Sequence, residues 1–214
     1  MSVGTDHVAA FLSAAAYAGE VLRHPAVGAV WTQPSALARA DVGTVAGHLF
    51  LVVRRVDKHL DEVEGAGADP LPVGRYTALR VERSEDLEHE VHRQVRADGA
   101  HVAAWGWEAV ANAYAQRVAK LEQRLAEHVP DAVPLGTHVL PFDEYLGSRV
   151  TEALVHADDL AVSAGLEPPA PSPEAMEVAL AFVLDLARRQ HGDLAVLRSF
   201  TRRERVPPQL PGVY

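Results

Sequence analysis

Apolar residues recur with a helical period through most of the chain. The run "HVAAFLSAAAYAGEVL" predicts a first helix from about Thr5 to His24, with Thr5 placed as its N-cap. From about Asp41 to Glu62, Val42, Val45, Ala46, Leu49, Val52, Val53 and Val56 return at the three-and-four spacing of a helix face. A long helix is expected over about 84–128, kinked near Asp98-Gly99. A fourth runs from about Phe142 to Ala164 and is closed by Gly165. A fifth covers about Glu174 to His191, and a short helix follows before the extended tail "VPPQLPGVY".

The stretches between them are breakers. "WTQPSAL", "VPDAVPLGTHVLP" and "EPPAPSP" read as connections. "EGAGADPLPVGRYTAL" is long for a loop in a compact domain, and such loops serve as lids or specificity elements. There is no internal repeat. Long helices joined by short-to-medium connections predict an all-α protein built as an antiparallel four-helix bundle. The bundle is expected over residues 1–168, with 169–214 forming a C-terminal helical extension and tail.

Composition narrows the partners. Hydrophobic residues make up 48% and charged residues 23%, as in soluble globular proteins. A formal net charge of -9 supplies no basic surface for nucleic acid. No apolar run reaches the roughly 18 residues of a membrane span. The opening residues lack the basic leader of a signal peptide, so a cytoplasmic protein is expected. There is no cysteine. Disulfides, thiolate ligands and a cysteine nucleophile are excluded, and thiol chemistry would need a thiol from outside. Two lysines stand against eighteen arginines, with one asparagine and no isoleucine, which points to a GC-rich genome.

Two helices carry polar groups on faces that otherwise look apolar. In "RVTEALVHADDLAVSAGL", Glu152 and His156 lie four residues apart on one face, flanked by Leu154, Val155, Leu160 and Val162. A Glu–His pair at this spacing is commonly a surface or semi-buried pair. In "TVAGHLFLVV", His48 sits among Val45, Leu49, Phe50, Val52 and Val53. A lone core histidine is more often a packing residue than a ligand. Gly47 beside it reads equally as room for close approach of a helix or a ligand and as a tolerated glycine. Taken together, His48, Glu152 and His156 form a two-histidine, one-carboxylate set. That set suits Zn²⁺ with a position left for water or substrate, and equally non-haem Fe²⁺. "SEDLEHEVHRQVR" competes, with Glu85/His89 and Glu88/His92 at the same spacing, but its dense charge reads as a solvated face. His24, His59, His101, His128, His138 and His191 lie near helix ends or in polar surroundings and are expected to be exposed.

"TVAGHLF" on an early helix and "PFDEYLGSRVTEALVHADDLAVSAGL" on a late one resemble the mycothiol-dependent maleylpyruvate isomerase family. The resemblance covers about residues 5 to 165, and its most specific part is the E-x-x-V-H-x-x-D-L portion. It implies a DinB-like four-helix bundle that holds a divalent metal, Zn with Ni or Fe as alternatives, on His48, Glu152 and His156. Asp159 would stand behind a ligand as its hydrogen-bond partner. Mycothiol, a sugar-linked thiol of high-GC actinobacteria, would be the cosubstrate, in keeping with the codon skew and the missing cysteine. The implied activity is that of a thiol transferase or isomerase acting on a small electrophilic substrate. A metal-binding bundle without catalysis and an Fe²⁺ enzyme at the same triad remain alternative readings. Family members often carry a further C-terminal domain at the substrate pocket, whereas only about fifty residues follow the bundle here. Arg149, one turn before Glu152, is placed either to reach an anionic ligand or to form a surface salt bridge.

Overall fold

A computed structural model describes residues 6–62, 71, 72, 74 and 89–201. Within them the chain is mostly helical. The elements are α1 (His7–Arg23), α2 (Pro25–Ala29), α3 (Val42–Asp61), α4 (Glu90–Ala103), α5 (Trp107–Glu127), β1 (Ala132–Leu135), β2 (His138–Pro141), α6 (Phe142–Ser163), α7 (Pro173–His191) and α8 (Asp193–Thr201).

Short polar side chains start α1, α3 and α7. Asp6 accepts from the backbone N–H groups of Val8 and Ala9 at 3.0 and 3.1 Å, so it caps α1; Thr5 lies outside the described residues. Asp41 caps α3 through the Thr44 N–H at 2.7 Å. Ser172 caps α7 through the Ala175 N–H, with Pro173 in the first turn where its missing donor costs nothing.

The long helix expected over 84–128 is two. The break falls at Gly106, whose φ of 86° favours glycine, and not at Asp98-Gly99. Residues 84–88 and most of the predicted lid loop lie outside the described residues. "VPDAVPLGTHVLP" is more than a connection. It folds into an antiparallel hairpin pairing Val133 with Leu140, and Leu135 with His138. Gly136, at φ 64°, takes the first place of its two-residue turn, as such hairpins require.

Four helices enclose the core, in the ring α1, α5, α3, α6. The Tyr114 hydroxyl donates to the Ala15 carbonyl at 3.0 Å, and the Trp107 indole donates to the Leu22 carbonyl at 2.8 Å, so α1 and α5 run antiparallel. His48 meets Glu152 while His59 meets Tyr145, so α3 and α6 are antiparallel too. The other two neighbour pairs are parallel. His7 lies beside Gly147 (α1 with α6), and Asp57 meets Lys120 while Asp61 meets Arg124 (α3 with α5). The expected antiparallel arrangement therefore holds for only two of the four neighbour pairs. Short loops force antiparallel neighbours, but a crossover lies between α3 and α5, and it frees α5 to run alongside α3. Part of that crossover is α4, which packs antiparallel on the first half of α3.

The α3–α4 crossing depends on two glycines. A Cβ on Gly47 would lie 2.1 Å from the Gly99 carbonyl oxygen, and one on Gly99 would lie 2.5 Å from the Thr44 oxygen. Gly99, expected as a kink, is instead the surface on which α3 rests. Outside the ring, α7 packs on α6 and α1, and α8 packs on α7. No described helix is long and apolar enough to cross a membrane.

At the far end of α3, Asp57 is only 2% exposed. Its carboxylate accepts from Lys120 Nζ at 3.0 Å, from Arg124 Nη1 at 2.6 Å and from Arg117 Nη1. Burial alone would raise its pKa, but the three cations outweigh burial and hold it below the usual carboxylate range.

Two outcomes are expected. Gly47→Ala sets side chain against backbone, and overpacking of this kind costs about 1–3 kcal/mol, against about 1 kcal/mol of helix propensity gained. Its melting temperature should fall by several degrees, and a wild-type value would mean that α3 and α4 do not touch. Because the folded pKa of Asp57 is depressed, its stabilisation is full above about pH 4, the unfolded value, and disappears as pH falls through the lower folded value. Asp57→Asn should lose about 2 kcal/mol at neutral pH. Its stability should also fall less steeply than wild type below about pH 4 in a urea series.

Candidate metal centre

α3 and α6 meet across a polar stripe. On α6, Tyr145, Arg149, Glu152 and His156 follow one another at four-three-four spacing and so share a face. On α3, His48 and Arg55 are two turns apart on the facing side. Antiparallel packing sets His48 against Glu152 and His156.

His48 Nε2 lies 3.5 Å from Glu152 Oε2, and His156 Nε2 lies 3.2 Å from the same oxygen. The two imidazole rings are perpendicular, at 89°, with centroids 4.8 Å apart. One ligating atom from each of the three residues falls within 4.8 Å of the others. Ligands about 2.1 Å from a tetrahedral Zn²⁺ stand about 3.4 Å apart, so the two distances to the shared oxygen fit a common ion. The three side chains are mostly buried, each keeping a small exposed surface of 13, 21 and 14% for His48, Glu152 and His156.

The local electrostatics prepare the donors unequally. Burial lowers the pKa of His48, against a smaller upward pull from Glu152, and keeps it neutral, the form that coordinates. Burial would also lower His156. The carboxylates of Asp159, 3.1 Å from Nδ1, and of Glu152 override it and push the ring up to about 9. Coordination through Nε2 would require one proton to leave, so cation affinity should rise with pH. Burial would raise Glu152, but hydrogen bonds from His156 and His48 and the Arg149 guanidinium hold it well below the usual range. Asp159 therefore fixes the plane of His156 through Nδ1, as carboxylates behind metal-bound histidines do. His48 Nδ1 is buried and has no such partner among the described residues.

The sequence-predicted residues thus come together. Arg149 is here as well, its Nη2 3.8 Å from Glu152 Oε1 and its guanidinium 5.4 Å from the Tyr145 ring centre. Arg55 was missed. It makes no hydrogen bond or ion pair with a described residue, and the charges acting on it include Arg149, Glu152 and Asp98. Its place seven residues after His48 was the available signal. Two guanidinium groups therefore flank the triad.

The competing histidines do not converge. His89 caps α4, its Nδ1 accepting from the Val91 N–H at 3.2 Å. His89 and His92 are half-buried, less solvated than expected, and join no three-residue ligand group among the described residues; Glu85 and Glu88 lie outside them. His59, expected to be exposed, is buried. It packs edge-on against Tyr145 at 5.6 Å and pairs with Glu62 at 3.2 Å, because the last turn of α3 still lies against α6. His24, His101 and His128 are exposed, whereas His138 and His191 are partly covered.

Compared with protein-family models, with curated proteins and with solved structures, the chain matches nothing.

If the triad holds a metal, untagged protein purified without chelator should carry about one equivalent, and added Zn²⁺, Ni²⁺, Mn²⁺ or Fe²⁺ should raise the melting temperature of stripped protein. His156→Ala should abolish both effects. Asp159→Asn should weaken affinity by about 10–100-fold. His89→Ala and His92→Ala should match wild type in metal content and in the metal-induced rise, although His89→Ala also loses the α4 cap. Loss of metal from the His89 variant instead would place the ion elsewhere.

Proposed function

We propose that this chain is a metal-dependent enzyme of the mycothiol-dependent maleylpyruvate isomerase type, built on a DinB-like bundle. It would join an external thiol, mycothiol, to a small electrophile, either for S-transfer or for isomerisation. The observation that carries this reading is the meeting of His48, Glu152 and His156 from two helices within 4.8 Å, with Asp159 orienting His156. The motif residues and the absence of cysteine support it from the sequence side.

His48, Glu152 and His156 would hold the cation. When bound, it would supply a Lewis-acid position that favours the thiolate, the nucleophilic form of a thiol. The chain's own residues do the rest. Asp159 keeps the His156 ring in plane. The mostly buried surroundings keep bulk water away from the triad. Arg55 and Arg149 offer guanidinium donors on one flank, which suits an electrophile that carries a carboxylate. The C-terminal extension would not supply those donors: they come from α3 and α6.

A second reading rests on the same distances. At 3.2 Å, with its pKa raised to about 9, His156 can bridge Glu152 and Asp159 as an imidazolium in a metal-free ion-pair network. Metal content separates the two.

The test is an incubation of protein, metal, mycothiol and a panel of electrophiles including maleylpyruvate, with product followed by mass. Wild type should form a thiol adduct or an isomer, and His156→Ala should form none. Arg55→Ala should raise KM for carboxylate-bearing electrophiles by about tenfold or more and leave neutral ones unchanged, as loss of a charge-assisted hydrogen bond does. Glutathione should replace mycothiol poorly if the sugar portion is recognised. Metal binding without turnover of any electrophile would leave a binding bundle rather than an enzyme.

A further inference from the structure

α7 is apolar on two faces. Ala175, Val178, Ala179 and Leu186 are buried against α6 and α1. The opposite face carries Met176, Leu180 and Leu184 at four-residue spacing, and Leu180 is 60% exposed. α8, packed on α7, exposes Leu194, Leu197 and Phe200, the last 82% exposed. Single exposed apolar residues are ordinary, but six large ones on two consecutive helices that pack on each other mark an interface. Among the described residues, α1, α6, α8 and Gly74 lie along α7, and Met176, Leu180 and Leu184 stay exposed beside them.

Charge selects the occupant. The N-terminal half of α7 carries Glu174 and Glu177, and its C-terminal end carries Arg188 and Arg189. Glu177 and Arg188 are exposed and flank the Leu180–Leu184 pair on the same face, eleven residues or about three turns apart. A two-fold axis perpendicular to the helix between Leu180 and Leu184 would set Leu180 of one copy against Leu184 of the other. The same axis brings Glu177 of each copy to Arg188 of the other, at both ends of the contact. Parallel pairing would instead stack Glu177 on Glu177 and Arg188 on Arg188. We propose that α7 pairs with α7 of a second copy of this chain, antiparallel about that axis, with the apolar face of α8 extending the interface. Such an isologous surface is self-complementary and closes as a dimer. Within one copy Arg188 donates to Asp193 from Nε at 2.8 Å and Nη2 at 3.4 Å; the pair is exposed, and the guanidinium keeps further donors for a second carboxylate.

The test uses the full chain in analytical ultracentrifugation and light scattering over a concentration series, with circular dichroism as the check on folding. Wild type should dimerise in the micromolar range. Leu180→Glu and Leu184→Glu should give monomers of unchanged helicity, because both side chains point away from the core. Glu177→Arg should weaken the dimer by about tenfold or more through like charges at both ends, and Glu177→Arg with Arg188→Glu should restore it. A chain that stays monomeric at high micromolar concentration overturns the proposal. So does a dimer indifferent to Leu180→Glu. Failure of the double charge swap to restore the dimer overturns the antiparallel register. Metal binding is read from the same samples and should be unchanged in every variant, because the triad faces α3 and not α7.

Discussion

Glu152 is the constraint around which this bundle is arranged. A carboxylate in the seam between two apolar helices is costly unless counter-charges or donors meet it there. His48 must come from α3, and His156 and Arg149 from the turns of α6 on either side. That requirement fixes the register of α3 against α6, since a slip of one turn would carry His48 about 5.4 Å away from its partner. Hydrophobic packing alone is tolerant of such slips; valines and leucines along α3 could meet α6 in neighbouring registers at modest cost. The polar stripe is what makes one register the best.

α3 carries two ionic centres of opposite character. At Asp57 one buried carboxylate meets three cations from α5, each partly solvated, so the group is held ionised and locks α3 against α5. At the triad one carboxylate serves two imidazoles, the pKa of His48 lowered by burial and that of His156 raised by Asp159 and Glu152 against burial, with Arg55 and Arg149 alongside. Each carboxylate meets three nitrogen donors of its own chain, but the donors at the triad include two imidazoles, which can also coordinate a cation, and the buried His48 Nδ1 has no hydrogen-bond partner among the described residues.

Much of the fold was legible in the sequence. α3 was read to within a residue at either end because its valines keep the helical period and Asp41 caps it. α6 was read because an apolar run ends at Gly165, whose φ of 65° closes it. The illegible parts share a physical cause: they depend on partners distant in sequence. Nothing local says that Gly47 and Gly99 meet, and a glycine inside a helical pattern reads equally well as a kink. The hairpin between α5 and α6 was hidden because its two strands are four residues each, shorter than a pattern can distinguish from a connection. The parallel pairing of α3 with α5 follows from the length of the crossover, which periodicity does not report. His59 was misjudged because nearness to a helix end was taken for exposure. Of the site, His48, Glu152 and His156 were legible by helix phase and by family resemblance together. Arg55 obeys the same phase as His48 and was overlooked because arginine on a helix usually reads as surface.

The environment of α6 explains why its short motif carried so much weight. Its buried residues, from Phe142 and Tyr145 through Ser148, Thr151 and Leu154 to Ala161, occur on every side of the helix. α3 covers one flank, α1 another, and α7 a third. A helix enclosed this way gives a polar side chain no solvent by default. On a surface helix, Glu and His four residues apart are two solvated groups that attract one another weakly. Here each must find a partner within the protein, and the partners available are a histidine from α3 and an aspartate three residues on. The same enclosure constrains the extension. α7 can cover α6 only by turning an apolar face inward, and the sequence between Ser172 and His191 carries more large apolar residues than that one face can use. The surplus lies outward on α7 and α8, on the side of α6 away from the triad, so burying it need not disturb the chemistry on the other side.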